Sequence, residues 1–232
     1  MPGHAPKFDA IADHAVLVSF ADTISDEAHA QVIALDQALA KNPPQGFVEA
    51  VPALVNLLVS FDVMATDHAV VITHLKALLD ALEVNSVSGH EREVLVCYDT
   101  ELGPDLDAVA SATGLSVDAV INAHLSGDYR VLMYGFAPGY AYLSGVANEI
   151  QVPRKTKPVR DVPAGSVIIA GPQCLVTTLT MPTGWSIIGQ SPTRILTGDP
   201  DAPFLFDVGD KVTFSRIDRA TYERMKDGTH HV

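Results

Sequence analysis

The second half of this chain is a series of short apolar segments separated by tight turns, and this pattern leaves few folds open to it. The segments are Tyr129–Phe136, Ser166–Ala170, Leu175–Thr180, Ser186–Ser191 and Lys211–Ile217. The turns between them are Pro138-Gly139, Pro163-Ala164-Gly165, Gly171-Pro172, Pro182-Thr183-Gly184 and Gly209-Asp210. Short apolar runs bounded by Gly and Pro are typical of strands joined by turns. Their spacing predicts an all-β C-terminal half and favours a closed barrel over an open sheet.

The first part of the chain carries signals of both strands and helices. Strands are predicted at Val16–Phe20, Phe47–Val51, Val55–Phe61 and Val94–Tyr98, and helices after the caps Ser25 and Thr66. The resulting order, βαββαβ, predicts a ferredoxin-like sandwich with two helices on one face of an antiparallel sheet. Two short helices, ending at Gly114 and Gly127, should then precede the barrel. We therefore expect an α+β protein with an N-terminal domain at 1–92 and a β-barrel domain at 93–232.

Composition excludes several classes of protein. Hydrophobic residues make up 47% of the 232 residues and charged residues 19%, as in a packed globular protein. The net charge of −13 argues against nucleic acid or an anionic membrane as the partner. No apolar stretch is long enough to cross a membrane, and the N-terminus lacks the pattern of a secretory signal. With Cys97 and Cys174 as the only cysteines, the expected location is the cytoplasm.

Searches for nucleotide and metal motifs find none. The chain has neither a G-x-x-x-x-G-K-[ST] loop nor G-x-G-x-x-G, so it carries no recognisable phosphate cradle of its own. It also lacks H-E-x-x-H and C-x-x-C, and the spacing of His68 and His74 is wrong for two ligands on one helical face. No metal site is expected.

The segment Tyr134–Leu143 is the strongest candidate for a small-molecule site. Aromatic residues, including Phe136 and Tyr140, alternate there with glycine and proline, including Pro138 and Gly139. Glycine lets a ligand approach the backbone, and proline stiffens the loop, so the segment could form the wall of a pocket. A packed barrel rim with ordinary turn residues would explain the same pattern.

A cluster of cations and a tryptophan offer further candidates. Arg154 lies in a basic segment, Val152–Arg160, and could hold a carboxylate, bicarbonate or phosphate through two hydrogen bonds. The alternative is a solvated loop, which we favour for Lys155 and Lys157. Trp185 would cover a hydrophobic hollow, either as a core residue or as a platform for a ligand.

Three more polar residues have side chains that could take part in binding or catalysis. Gln173 follows a turn and its amide could both donate to and accept from a ligand, although a solvated turn residue is the simpler interpretation. His124 lies on the apolar face of a predicted helix and is a candidate acid or base only if that face opens on the pocket. Cys174 has no activating base nearby in the sequence, so we expect it to be inert.

Taken together, several stretches resemble a known family. They are Gly-Phe-Ala-Pro-Gly-Tyr-Ala-Tyr-Leu (135–143), Val-Pro-Arg (152–154), Val-Pro-Ala-Gly-Ser-Val-Ile-Ile-Ala-Gly (162–171), Gln173, Gly-Trp (184–185) and Ile-Gly-x-Ser-Pro (188–192). The chain is similar to the B subunits of 5-oxoprolinases, a family also described as allophanate hydrolase subunit 1 or KipI-like carboxyltransferase domains. The resemblance implies an N-terminal α+β domain, a cyclophilin-like C-terminal barrel, and an ATP-dependent complex that opens 5-oxoproline (pyroglutamate) to glutamate.

The resemblance also implies partners and roles. A C-type subunit, built on a related carboxyltransferase domain, and an A-type subunit would complete the complex, and ATP would be bound there or by a partner. In such a complex Arg154 would anchor the carboxylate of a small amide substrate or an acyl phosphate, and Gln173 and backbone amides of the Gly135–Gly139 loop would orient the carbonyl. His124 is a candidate for proton transfer. Other members of the family imply two alternatives, namely the carboxyltransferase part of a urea carboxylase or allophanate hydrolase system, and an inhibitor of a histidine kinase.

The chain departs from the family pattern at three positions. Gln190 replaces a common arginine, and Thr183 and Ser144 replace common glycines. Loss of a cation at position 190 could change which anion is accepted.

Overall fold

The structure is a computed structural model, and it describes residues 5–82 and 89–228. The chain divides into two compact units, Met1–Ser88 and Gly89–Val232. Within the described residues, none of the helices has the length and apolar character needed to span a bilayer.

The first unit is a four-stranded antiparallel sheet with two helices. Its elements are β1 Lys7–Ile11, β2 Ala15–Ser19, α1 Asp26–Lys41, β3 Phe47–Ala53, β4 Asn56–Phe61 and α2 His68–Ala81. The strands lie in the order β1-β2-β4-β3. In β4, Leu57, Val59 and Phe61 are buried and alternate with half-buried residues, so one face of the sheet packs into the core, as the alternation predicts.

The helix caps of this unit agree with the sequence in one case only. The Ser25 hydroxyl accepts the N–H of Ala28 at 3.2 Å and caps α1, as predicted. The cap of α2 is Asp67, whose carboxylate accepts the N–H of Val70 at 3.0 Å. The prediction of Thr66 was wrong by one residue, because the extended backbone that a cap requires falls on Asp67.

The predicted βαββαβ order was wrong at both ends of the first unit. An unpredicted strand, β1, pairs with β2 and occupies the edge where the last strand of a ferredoxin-like sheet was expected. The predicted strand Val94–Tyr98 exists as β5 (Glu91–Val96), but it belongs to the second unit. There it pairs in parallel with β13 (Lys211–Arg216), over the full length of both strands.

The second unit contains nine strands and three α-helices among its described residues. Besides β5 and β13, its elements are α3 Leu106–Thr113, α4 Val117–Leu125, β6 Tyr129–Tyr134, β7 Ala141–Ser144, β8 Val159–Val162, β9 Ser166–Ala170, β10 Gln173–Val176, β11 Met181–Thr183, β12 Ser186–Gln190 and α5 Arg219–Gly228. The predicted end of the first short helix is correct, because Gly114 adopts a left-handed backbone after α3. Ser116 caps α4 through the N–H of Ala119.

Strand pairing in the second unit follows the path β5-β13-β6-β7-β10-β9-β12, antiparallel everywhere except between β5 and β13. The strands β8 and β11 form a separate two-stranded ribbon. A single antiparallel bridge, between Cys97 and Gln190, connects the ends of the path. The described residues thus form an open path that is bridged at one point, and the predicted closed barrel is not confirmed.

Two groups of buried side chains stabilise this unit. The larger one fills the space between the sheet and helices α3 and α4, and His124 is buried in the same region. The smaller one contains Tyr140, Ile168, Leu175 and Trp185. Because these four residues also line a pocket, the smaller group positions the site described next.

Candidate functional site

The loop between β6 and β7 is held in a tight, partly strained conformation. The N–H of Tyr140 donates to the carbonyl of Ala137 at 3.1 Å, and the N–H of Gly135 donates to the carbonyl of Tyr140 at 3.2 Å. Phe136 has a φ of 71°, a left-handed conformation that is unfavourable for a bulky residue. Phe136 is nevertheless 73% exposed, so the fold holds a large apolar group in water at the tip of this loop.

This loop forms one wall of a pocket, which we call the aromatic pocket. Its volume is about 190 Å³. The residues that line it are Phe136, Tyr140, Tyr142, Arg154, Ile168, Leu175, Pro182, Thr183, Gly184 and Trp185. Four residues predicted to bind substrate, Phe136, Tyr140, Arg154 and Trp185, therefore lie together here. Burial raises the pKa of Tyr140 to about 12, so its hydroxyl stays neutral and can donate a hydrogen bond.

Arg154 and Trp185 form the polar and apolar parts of one surface. The guanidinium carbon of Arg154 lies 5.5 Å from the ring centroid of Trp185, which is within the range of a cation–π contact. Trp185 is buried, whereas Arg154 is exposed. Among the described residues, no carboxylate pairs with Arg154, so its charge remains available to an anionic group in the pocket.

Lys155 behaves differently from its neighbour. Its ammonium group lies 2.5 Å from a carboxylate oxygen of Asp105, and both side chains are largely buried. The same oxygen accepts the N–H of Ile187 at 2.6 Å. The prediction of a solvated Lys155 was wrong, because Asp105 is fixed at the start of α3 and binds both the basic segment and β12.

Pro138 and Gly139, also predicted to bind substrate, hold the loop and are not among the residues found to line the aromatic pocket. The carbonyl of Pro138 accepts the hydroxyl of Thr178 at 2.6 Å. Gly139 has a φ of +72°, and a Cβ there would lie 2.8 Å from a methyl group of Leu196. Pro138 and Gly139 therefore anchor the loop. Position 139 requires glycine because the loop backbone there lies against Leu196.

Gln173 lies away from the pocket as well. It is the first residue of β10, where it pairs with Ala170 across the β9–β10 hairpin. The residues found to line the aromatic pocket do not include it. The predicted role of its amide in orienting a substrate carbonyl has no geometric support in this pocket.

His124 lies in the larger core and is fully buried. Its Nδ1 lies 2.7 Å from the hydroxyl of Tyr98, and its Nε2 lies 3.5 Å from the sulfur of Cys174. Burial lowers the pKa of His124 to about 3 and raises the pKa of the Cys174 thiol. The expectation of proton transfer by His124 is corrected accordingly: its ring is sealed from solvent and from the pocket, and it stays neutral.

Several residues of the aromatic pocket were not predicted. Ile168 and Leu175 face each other across the β9–β10 pair, which a correct strand register would have indicated. The hydroxyl of Thr183, one of the departures from the family pattern, accepts the N–H of Trp185 at 3.1 Å and so helps to set the tryptophan backbone. The turn before the only tryptophan was the available signal.

The other two departures lie elsewhere. Ser144, on β7, donates to the carbonyl of Arg130 at 3.4 Å. Gln190, at the end of β12, lines a second cavity of about 450 Å³. The walls of this second cavity come from residues 163–165, 177–178 and 190–196, together with Tyr222 and Lys226 of α5.

One group of side chains has the residue types of a metal site. In the described part of the chain, His90, Asp207 and Asp210 have potential ligand atoms within 4.8 Å of one another. The oxygens of the buried Asp210 already accept hydrogen bonds from the N–H of His90, the guanidinium of Arg92 and the N–H of Asp207, at 2.7 to 2.9 Å. Asp210 therefore serves as an anchor between β5 and the turn before β13.

The fold and these motifs are those of a carboxyltransferase-domain family. The family model "Carboxyltransferase domain, subdomain C and D" matches residues 6–206, and the chain belongs to this family. The B subunit of the 5-oxoprolinase of Bacillus subtilis (strain 168) is 33% identical to this chain over 237 residues, which cover 95% of this chain and 97% of that protein. The corresponding protein of Escherichia coli O157:H7 is 33% identical over 207 residues, covering 88% of this chain and 93% of that one. The chain is thus similar to 5-oxoprolinase B subunits over almost its whole length.

Solved structures show the same fold within larger proteins. The crystal structure of TTHA0988 is similar with a TM-score of 0.78 and 34% identity, covering 88% of this chain and 40% of that one. The urea carboxylase of Kluyveromyces lactis has a TM-score of 0.77 at 15% identity, and the match covers 98% of this chain and 23% of that one. At this identity the second likeness concerns the fold alone.

Proposed function

We propose that this chain is the B subunit of an ATP-dependent 5-oxoprolinase, which opens the lactam of 5-oxoproline to give glutamate. The observation that carries the proposal is the similarity to the Bacillus subtilis protein over nearly the full length of both chains. The partners would be A-type and C-type subunits of the same enzyme, and the complex would work in the cytoplasm. ATP would be bound in the complex or by a partner, because this sequence has no phosphate loop.

In this proposal the aromatic pocket holds the substrate. Arg154 binds the carboxylate, since a guanidinium can offer two parallel hydrogen bonds to it. The flat faces of Trp185 and Tyr140 accommodate the apolar part of the ring, and the hydroxyl of Tyr140 is a neutral donor for a carbonyl oxygen. Because Gln173 and His124 lie outside the pocket, the proton-transferring group is assigned to a partner protein.

For the architecture, we propose that the two units are the two domains of the family and that the second corresponds to its cyclophilin-like barrel. The path of seven strands and the Cys97–Gln190 bridge support this assignment. For the first unit we propose a permuted ferredoxin-like sheet, in which β1 replaces the last strand.

The test is reconstitution of the complex. The purified chain, mixed with its partner proteins, should consume 5-oxoproline and ATP and release glutamate and ADP in equal amounts. Arg154→Gln should lower kcat/KM by about 10- to 100-fold, the effect of losing a charge-assisted pair. Arg160→Gln, which removes an exposed cation outside the pocket, is the matched control and should change little. Absence of turnover in every combination of the proteins would contradict the proposal.

A second candidate function follows from the matched family model, which describes a carboxyltransferase domain. In that case the chain would act with a biotinylated partner and transfer a carboxyl group to an amide substrate. Avidin would then block the activity, whereas a 5-oxoprolinase would be insensitive to avidin.

A further inference from the structure

The turn that begins α3 lies directly against β12, the strand that starts one residue after Trp185. The N–H of Asp105 in this turn donates to the carbonyl of Ile187 at 3.0 Å. A Cβ at position 103 would collide with the carbonyl oxygen of Ile188, so the turn needs Gly103 to approach the strand this closely. The backbone therefore fixes Asp105 beside the strand that follows the pocket tryptophan.

The carboxylate of Asp105 does not serve its own helix. Asp105 is the N-cap residue of α3, and an aspartate at that position usually accepts an N–H of the first helical turn. Within the described residues, this capping bond is not made. One carboxylate oxygen instead accepts the ammonium group of Lys155 at 2.5 Å and the N–H of Ile187 at 2.6 Å. A side chain that gives up a local bond for two distant ones is typical of a site whose geometry matters for function.

The two partners of this carboxylate are close neighbours of the two main binding residues of the aromatic pocket. Lys155 directly follows Arg154 in the chain, and Ile187 lies two residues after Trp185. The N–H of Lys155 also donates to the carbonyl of Gly184 at 2.6 Å, which joins the two segments directly. The carboxylate joins the same segments a second time, because it binds one residue of each.

The charges of the two neighbouring cations are used differently. The side chains of Asp105 and Lys155 are only 19% and 22% exposed, so water and salt screen this ion pair less than a surface pair. Of the described residues that line the aromatic pocket, Arg154 is the only cation. The paired charge of Lys155 thus serves to hold the segment, whereas the charge of Arg154 faces the pocket.

We propose that Asp105 is a positioning residue of the aromatic pocket. Through Lys155 and the N–H of Ile187, it fixes the two segments that carry the binding side chains. It thereby keeps the guanidinium of Arg154 at its place over the ring of Trp185. Asp105 is not among the residues found to line the pocket, so it acts on a ligand only through these neighbours. The inference rests on the proposed function, in which Arg154 binds the carboxylate of the substrate.

The first experiment uses the full chain alone and follows the indole N–H signal of Trp185, the only tryptophan, by NMR. Asp105→Asn keeps an oxygen that can accept the N–H of Ile187 and removes the charge that holds Lys155. The indole signal should shift in this variant, and also in Lys155→Met, which removes the other half of the ion pair. Asp107→Asn, at an exposed position of the same helix, is the matched control and should leave the signal in place.

The second experiment uses the reconstituted complex and separates KM from kcat. Asp105→Asn should raise KM for 5-oxoproline about tenfold and change kcat by less than about twofold, because it disturbs binding of the carboxylate. In a chain that already carries Arg154→Gln, the same substitution should have no further effect on KM, since it acts through the missing guanidinium. Asp107→Asn should change neither constant.

The proposal is overturned if the indole signal stays in place in both Asp105→Asn and Lys155→Met. It is also overturned if the effects of Asp105→Asn and Arg154→Gln on KM multiply in the double variant. If Asp105→Asn does not fold, Lys155→Met carries both tests, because it leaves the carboxylate bonded to the N–H of Ile187. Absence of turnover in every complex would contradict the proposed function, and the NMR signal of the chain alone would still decide whether Asp105 positions the pocket.

Discussion

The aromatic pocket and the cluster around His124 lie in the same unit and differ in their access to water. His124, Tyr98 and Cys174 have side chains that serve as catalysts in many enzymes, yet here they are buried in the larger core and neutral. Arg154 and Phe136 have simpler chemistry and are exposed beside a cavity. Solvent access, more than the identity of the side chain, therefore separates a structural cluster from a candidate site.

The largest loss of stability should come from removing the imidazole at the centre of the buried cluster. His124→Ala leaves a cavity and takes away the partner of the Tyr98 hydroxyl, so the free energy of unfolding should fall by about 3 kcal/mol. Urea denaturation followed by the fluorescence of Trp185 reports on the second unit. His14→Ala, at an exposed histidine, is the control and should change the value by less than about 0.5 kcal/mol. An equal effect of both variants would mean that the cluster is not structural.

A smaller loss of stability is expected from a substitution at the place where the core meets the loops of the pocket. Asp105→Ala removes the partner of the Lys155 ammonium group and of the Ile187 N–H, and should lower the free energy of unfolding by about 2 kcal/mol. Asp107→Ala, at an exposed position in the same helix, should cost about 0.5 kcal/mol or less. If the two variants were equally stable, the connection between α3 and the basic segment would be unimportant.

The pH dependence of stability tests the buried state of His124 directly. Its pKa is lowered from 6.5 to about 3 in the folded chain, so below pH 6.5 the unfolded chain takes up a proton that the folded chain does not. The free energy of unfolding should therefore decrease as the pH is lowered below 6.5. This group contributes at most about 1.4 kcal/mol per pH unit to that decrease. The neighbours Tyr98, Tyr129 and Cys174 stay neutral in this range, because burial raises their pKa values.

The measurement compares the chain with His124→Gln between about pH 7 and about pH 5. The difference in unfolding free energy between the two proteins should shrink as the pH falls. A difference that is constant across this range would show that the imidazole is not held in its neutral form.

The smallest effect on stability should come from the aromatic pocket. Arg154→Gln should change the free energy of unfolding by less than about 0.5 kcal/mol, because the side chain is exposed and its main contact is with the ring of Trp185. The activity of the reconstituted complex should fall in the same variant. A stability loss as large as that of Asp105→Ala would place Arg154 among the structural residues and weaken its assignment to the substrate.

The sequence predicted local structure well and the partners of each strand poorly. The strands around β6, β9, β10, β12 and β13 were predicted because apolar runs and Gly/Pro turns are local signals. The strand at Val94 was predicted, but the βαββαβ order counted it with the first sheet although the predicted boundary at 92 put it in the second domain. Its partner β13 lies near the other end of the chain, which no local signal shows. The ribbon of β8 and β11 was missed because its strands have four and three residues and no clear alternation.

The same limit applies to the site. The pattern of the aromatic loop indicated a pocket wall, and Arg154 and Trp185 line the same pocket. Gln173 and His124 were plausible from residue type, but only the three-dimensional structure shows which cavity, if any, a side chain reaches. The apolar neighbours of His124 on its helix were the signal for burial, and they outweighed its chemistry.

The two ends of the strand path in the second unit are joined by the short bridge between Cys97 and Gln190. Two hydrogen bonds, of 2.9 and 3.0 Å, hold the ends of the strand path together, whereas β5 and β13 are paired along their whole length. Fewer backbone hydrogen bonds hold this bridge than hold the β5–β13 ladder, so the amide protons of Cys97 and Gln190 should exchange with solvent before those of the ladder.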